Sequence, residues 1–115
     1  MGEIEEHFQR GVAFKIGGRY DEAIAEFREI LGVSCDHSEA HRQLGLVYGF
    51  SGLFDESMEE LNKAAELDPS SVDARNDLAM TYAMLGMYEE AKAGFLSVLE
   101  MDPDNQKAKE QLKYF

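Results

Sequence analysis

Basic residues are scarce in this chain: eleven Lys and Arg stand against twenty-three Asp and Glu in 115 residues, a formal charge of −12. Nucleic-acid binding depends on Lys and Arg neutralising phosphates, so this acidic balance argues against that class of partner. It argues equally against an anionic membrane surface. Cys35 is the single cysteine and cannot close an internal disulfide. Nothing in the chain therefore requires an oxidising compartment, and a cytoplasmic setting is expected. No apolar run approaches the length of a membrane span, and the N-terminus lacks the basic-then-apolar pattern of a signal peptide. What is present is ordinary, with 44% hydrophobic and 30% charged residues. That is the composition of one folded domain and not of a disordered segment.

The organisation emerges when the chain is compared with itself at an offset of 34 residues. Gly11, Gly45 and Ala79 share a column, as do Phe14, Tyr48 and Tyr82. Gly18, Gly52 and Gly86 follow, then Tyr20, Phe54 and Tyr88, then Ala23, Ser57 and Ala91, then Phe27, Leu61 and Phe95. Asp68-Pro69 recurs as Asp102-Pro103, and no gap is needed anywhere. Each column has a mechanical reason. Small residues at 11, 45 and 79, facing 23, 57 and 91, let two antiparallel helices approach closely. Gly45 is expected to tolerate Ala there, whereas Leu would wedge the helices apart. The glycines at 18, 52 and 86 end the first helix of each pair in the left-handed conformation that glycine adopts cheaply. Pro69 and Pro103 stop the second helices, and Ser71 and Asn105 cap the helices that follow. The spacing predicts helices over 4–17, 21–32, 38–51, 55–67, 72–85, 89–101 and 106–114, with no strand.

These columns resemble the tetratricopeptide repeat, whose pattern runs Trp-x2-Leu-Gly-x2-Tyr, then Ala-x3-Phe, then Pro. The third repeat reads Arg75, Leu78, Ala79, Tyr82, Ala91, Phe95 and Pro103. The second reads His41, Leu44, Gly45, Tyr48, Ser57, Leu61 and Pro69. The first is degenerate, with Arg10 in the leucine column and Cys35 in the proline column. Arg10 suits an end repeat with no neighbour on its outer face. The resemblance implies an all-α fold, a right-handed α-solenoid of three helix–turn–helix repeats (4–37, 38–71 and 72–105) in a single domain spanning 1–115. Residues 106–115 then form a capping helix, with Ala108 and Leu112 covering the third repeat.

In such arrays the first helix of each repeat lines a concave groove. The face opposite the core carries Glu5, Phe8, Val12, Lys15 and Ile16 in the first repeat. Glu39, Arg42, Leu46, Gly49 and Phe50 follow in the second, and Asp73, Asn76, Met80, Ala83 and Met84 in the third. The rows Val12–Leu46–Met80 and Ile16–Phe50–Met84 read as an apolar floor that marks an interaction site, although packing between repeats would also use such residues. With Phe8, Arg42, Gln43 and Asn76 beside them, these two rows form the expected peptide-binding groove. Glu5, Glu39, Asp73 and Asp77 form its expected acidic rim. The family's carboxylate clamp, which grips the acidic C-termini of heat-shock chaperones, uses Lys, Asn, Asn, Lys and Arg. Those places here hold Phe8, Val12, Gln43, Asp73 and Asp77, so a chaperone C-terminal carboxylate is not the expected ligand.

Chemistry finds no footing in the sequence. Cys35, His37 and His41, with Asp36 and Glu39, are metal-ligand types at a spacing that matches no closed zinc pattern, and no metal or cofactor is expected. Gly17-Gly18 is a turn and not a phosphate loop. No nucleophile, base and orienting group come together, so an enzyme is not expected. The expected function is a protein-interaction scaffold or adaptor that takes a peptide or partner helix with apolar anchors and basic flanks. Two alternatives stand beside it. One is a self-assembling structural scaffold, using Leu112, Tyr114 and Phe115 against a neighbour; the other is a regulatory module of a larger protein.

Overall fold

The computed structural model describes residues 2–115, so Met1, which the expected domain includes, lies outside the described residues. Seven helices follow one another: α1 (Glu3–Ile16), α2 (Tyr20–Val33), α3 (Ser38–Phe50), α4 (Phe54–Leu67), α5 (Val72–Met84), α6 (Tyr88–Met101) and α7 (Gln106–Leu112). Among the described residues there is no strand. The helices stand within two residues of the expected limits. The second helix of each pair begins one residue early, at Tyr20, Phe54 and Tyr88, because the turn before it is tighter than the sequence implied.

Those turns are built alike. Gly18, Gly52 and Gly86 have φ of 77°, 81° and 78°, the left-handed region expected of them. The next amide in each case donates back to the aromatic carbonyl five residues earlier: Arg19 to Phe14 at 2.8 Å, Leu53 to Tyr48 at 2.8 Å, and Met87 to Tyr82 at 2.9 Å. This bond closes the end of the first helix and reverses the chain. Between pairs, Ser71 Oγ accepts from the Ala74 amide at 3.1 Å and Asn105 Oδ1 from Ala108 at 3.0 Å, the two expected caps. In the same column of the preceding repeat, His37 does this work, with Nδ1 accepting from Ala40 at 3.0 Å.

Packing follows the repeat. Phe27, Leu61 and Phe95 are fully buried, and so are Ala23 and Ala91, with Ser57 at 1% exposure. Ser57 Oγ donates to the Gly45 carbonyl at 2.7 Å, which satisfies the one polar member of that column. Ala40, Ala74 and Ala108 make a further buried column that joins successive pairs. Each helix packs on its neighbours in sequence, and α7 closes on α6. The result is a solenoid 40 × 26 × 21 Å. Among the described residues no helix is long and apolar enough to cross a membrane.

Leu112 and Phe115 pack on the core of the third repeat, Phe115 lying 6.2 Å from the Phe95 ring centre. Both are partly buried there, whereas Tyr114 is 82% exposed.

Candidate functional site

The first helices α1, α3 and α5, with α7 beyond them, line one side of the solenoid. There they enclose a cavity of about 420 Å³. Six of the ten expected groove residues border it: Arg42, Gln43, Leu46, Phe50, Met80 and Met84. The other four stand apart. Phe8 packs edge-on against Phe27 at 5.8 Å between ring centres, and Val12 rests on the same core. Asn76 is buried and donates from Nδ2 to Asn105 Oδ1 at 3.2 Å, so its amide serves the junction with α7. Ile16 is exposed and does not border the cavity.

The two apolar rows differ in exposure. Leu46 and Met80 are half-buried, whereas Ile16, Phe50 and Met84 are 78%, 58% and 62% exposed. The inner row therefore shares its surface with packing between repeats. The outer row is open apolar surface, as are Val33, Tyr88 and Tyr114 elsewhere on the molecule.

Electrostatics depart most from the sequence reading. Arg42 donates from Nη1 to Asp77 Oδ2 at 2.7 Å, and from Nε to Glu39 Oε1 at 2.8 Å. Two of the four residues expected as a free acidic rim are thus held by a cation from the groove itself. Burial works against the Arg42 charge, but its bonds to Glu39 and Asp77 outweigh burial and raise its pKa. For Asp77 the balance falls the other way: burial raises its pKa and the Arg42 contact only partly opposes it. The pair therefore favours the arginine more than the aspartate. Glu5 and Asp73 remain exposed.

Two cations complete the cavity. Lys15 reaches from α1 to donate to Gln43 Oε1 at 2.6 Å, and Lys107 borders it from α7. Lys107 is itself exposed at the cavity's border. Thr81 also lines the cavity, with Oγ1 donating to the Asp77 carbonyl at 2.9 Å. The signal for Arg42 and Asp77 was present: they lie 35 residues apart, one repeat plus one position.

The candidate metal residues have other partners. His37 caps α3, and Cys35 is exposed. His41 is buried with Nδ1 2.8 Å from Glu60 Oε1 and Nε2 2.8 Å from the Cys35 carbonyl. The same pairing occurs one repeat earlier, where His7 Nδ1 lies 2.6 Å from Glu26 Oε1. These histidines join the two helices of a pair. Among the described residues no group of three or more His, Cys, Asp or Glu is placed to hold a metal ion.

The same fold recurs in solved structures. The first tetratricopeptide domain of Spaghetti (RPAP3), bound to the HSP90 peptide SRMEEVD, superposes with a TM-score of 0.92 at 23% identity, covering 97% of this chain and 89% of that one. The second such domain of human RPAP3, in complex with the HSP70 peptide SGPTIEEVD, gives 0.90 at 23% identity, covering 97% and 93%. The domain of Arabidopsis OM64 gives 0.90 at 22% identity, covering 98% and 96%. At these identities the likeness is one of fold. No curated protein matches the chain in sequence. Residues 51–112 match the tetratricopeptide repeat family, and with the repeat columns buried as that pattern requires, the chain belongs to this family.

Proposed function

We propose that the chain is a non-catalytic protein-binding scaffold that holds a peptide or partner helix against its first helices. The repeats 4–37, 38–71 and 72–105, closed by 106–115, act as one unit in this reading. The observation that carries it is the open apolar row Ile16, Phe50 and Met84 beside a cavity floored by Leu46 and Met80. Two neighbours in fold, bound to HSP90 and HSP70 peptides, support a ligand of this size. The segment held has apolar anchors for the two rows, and basic flanks where it passes Glu5 and Asp73.

A chaperone C-terminal carboxylate is not part of this reading. The five clamp places hold Phe8, Val12, Gln43, Asp73 and Asp77, and none of these side chains carries a positive charge. Like-charge repulsion rests mainly on Asp73, since Asp77 is paired with Arg42.

The test compares capture of the native partner by the wild-type domain and by Leu46→Glu. A buried charge at a hot spot costs about 2 kcal/mol or more of binding, so capture falls at least about thirtyfold while helicity is unchanged. A folded Leu46→Glu protein that binds as well as wild type contradicts the groove reading.

Self-assembly is the second reading. A further cavity of about 530 Å³ at the C-terminal end is lined by Tyr88, Tyr114 and Phe115, with Tyr114 and Tyr88 well exposed. Sedimentation across a concentration range separates the two, because a simple adaptor stays monomeric at all concentrations.

A further inference from the structure

The groove is a cationic island in an acidic molecule. Three of the chain's eleven basic residues, Lys15, Arg42 and Lys107, border one cavity, against a single carboxylate, Asp77. Arg42 is already committed to Glu39 and Asp77. Lys15 is half-buried and its hydrogen-bond partner, Gln43, is neutral. Among the described residues no ion pair engages Lys15 or Lys107.

Resting on the groove reading, we infer that this cavity receives one internal acidic side chain, Asp or Glu, of the bound segment, with Lys15 and Lys107 as its cationic contacts. A half-buried ammonium with no carboxylate in direct contact gains from one that the ligand brings to it when it binds. Burial, and after it the nearby Arg42 guanidinium, lower the Lys15 pKa, while Asp77 and Glu39 pull the other way. The acid belongs within a segment and not at a chain end, because Leu46, Phe50, Met80 and Met84 line the same cavity and offer apolar contacts to the residues around it. Elsewhere the molecule repels acids through its net charge, so the subsite also sets specificity: one acid in register is favoured, and an acidic run is not.

The probe is a display library of random twelve-residue peptides fused at their C-termini, so that only internal acids are selectable. It is panned on the full chain, on Lys15→Gln/Lys107→Gln, and on Lys15→Arg/Lys107→Arg. Wild type enriches peptides with one Asp or Glu between apolar residues, and the arginine variant does the same. The enriched sequence, made as an amidated peptide, loses about 5–50-fold in affinity when its acid becomes the amide, and this loss shrinks below about twofold in the glutamine variant. Several outcomes overturn the inference: enrichment of apolar peptides without an acid, an acid preference undiminished in the glutamine variant, binding that requires a free C-terminal carboxylate, or no enrichment. The groove reading is judged apart from these. Peptides without an acid that still lose binding to Leu46→Glu leave it standing, whereas peptides indifferent to Leu46→Glu refute it.

Discussion

Arg42 and Asp77 hold each other at 2.7 Å across the seam between the second and third helix pairs, with side chains only 16% and 12% exposed. The two partners are not equivalent, because burial raises the Asp77 pKa despite the pair, while Arg42 keeps Glu39 as a second acceptor. Removing Arg42 strands a half-desolvated carboxylate, so Arg42→Met costs about 1–3 kcal/mol. Asp77→Asn removes the charge that burial disfavours, and stays within about 1 kcal/mol of wild type. The sign also fixes the pH dependence: a carboxyl whose folded pKa is raised contributes stability that is present at low pH and lost as pH rises through the raised value. Urea midpoints of both variants at neutral and acidic pH check this, and equal losses at neutral pH contradict it.

Glu26 behaves in the opposite sense. Its bond to His7 lowers its pKa, burial opposes that, and Arg10 at 3.2 Å adds to the lowering. A lowered folded value contributes stability that is present above the ordinary glutamate range and is lost as pH falls from that range through the lowered value. Glu26→Gln therefore destabilises the first repeat at neutral pH but matches wild type in acid. Thermal melts over the acid limb read this directly, and a loss that does not change with pH counts against the His7–Glu26 link.

Gly45 was expected to tolerate Ala, and the structure reverses that expectation. A Cβ there would lie 2.8 Å from Leu61 Cγ and 3.2 Å from the Ser57 carbonyl. The helix gains about 1 kcal/mol from Ala over Gly, but overpacking costs about 1–3 kcal/mol, so Gly45→Ala is a net loss and Gly45→Leu a larger one. The third repeat carries Ala79 in this column because Gly94 faces it, where a Cβ would come within 2.9 Å of Ala79 Cβ. Melting temperatures order wild type above Gly45→Ala above Gly45→Leu; an unchanged or raised value for the alanine variant refutes the close approach.

The sequence made the fold legible because the period of 34 ties each residue to a packing role twice over. Phe27, Leu61 and Phe95 are buried, and Gly18, Gly52 and Gly86 turn left-handed, as their columns require. The groove was legible only in part. Its rows could be read from helical spacing, but side-chain reach could not. Long side chains such as Lys15, Arg42 and Lys107 cross between helices, so their partners depend on the seam between repeats and not on the column. Asp77 looked like free acid for that reason. Helix caps depend on chemistry shared by several residue types, and His37 in a Ser and Asn column was read among candidate ligands instead of as a cap.

The methionines provide the most direct test of the groove. Met80 and Met84 lie on α5 in the two apolar rows, whereas Met58 and Met101 lie on α4 and α6. With methyl-labelled methionine, titration of the native partner is followed by NMR. The groove reading predicts that the Met80 and Met84 methyl signals shift or broaden, while those of Met58 and Met101 hold their positions. Shifts at Met58 and Met101, with Met80 and Met84 unmoved, would place the partner on the second helices and contradict it.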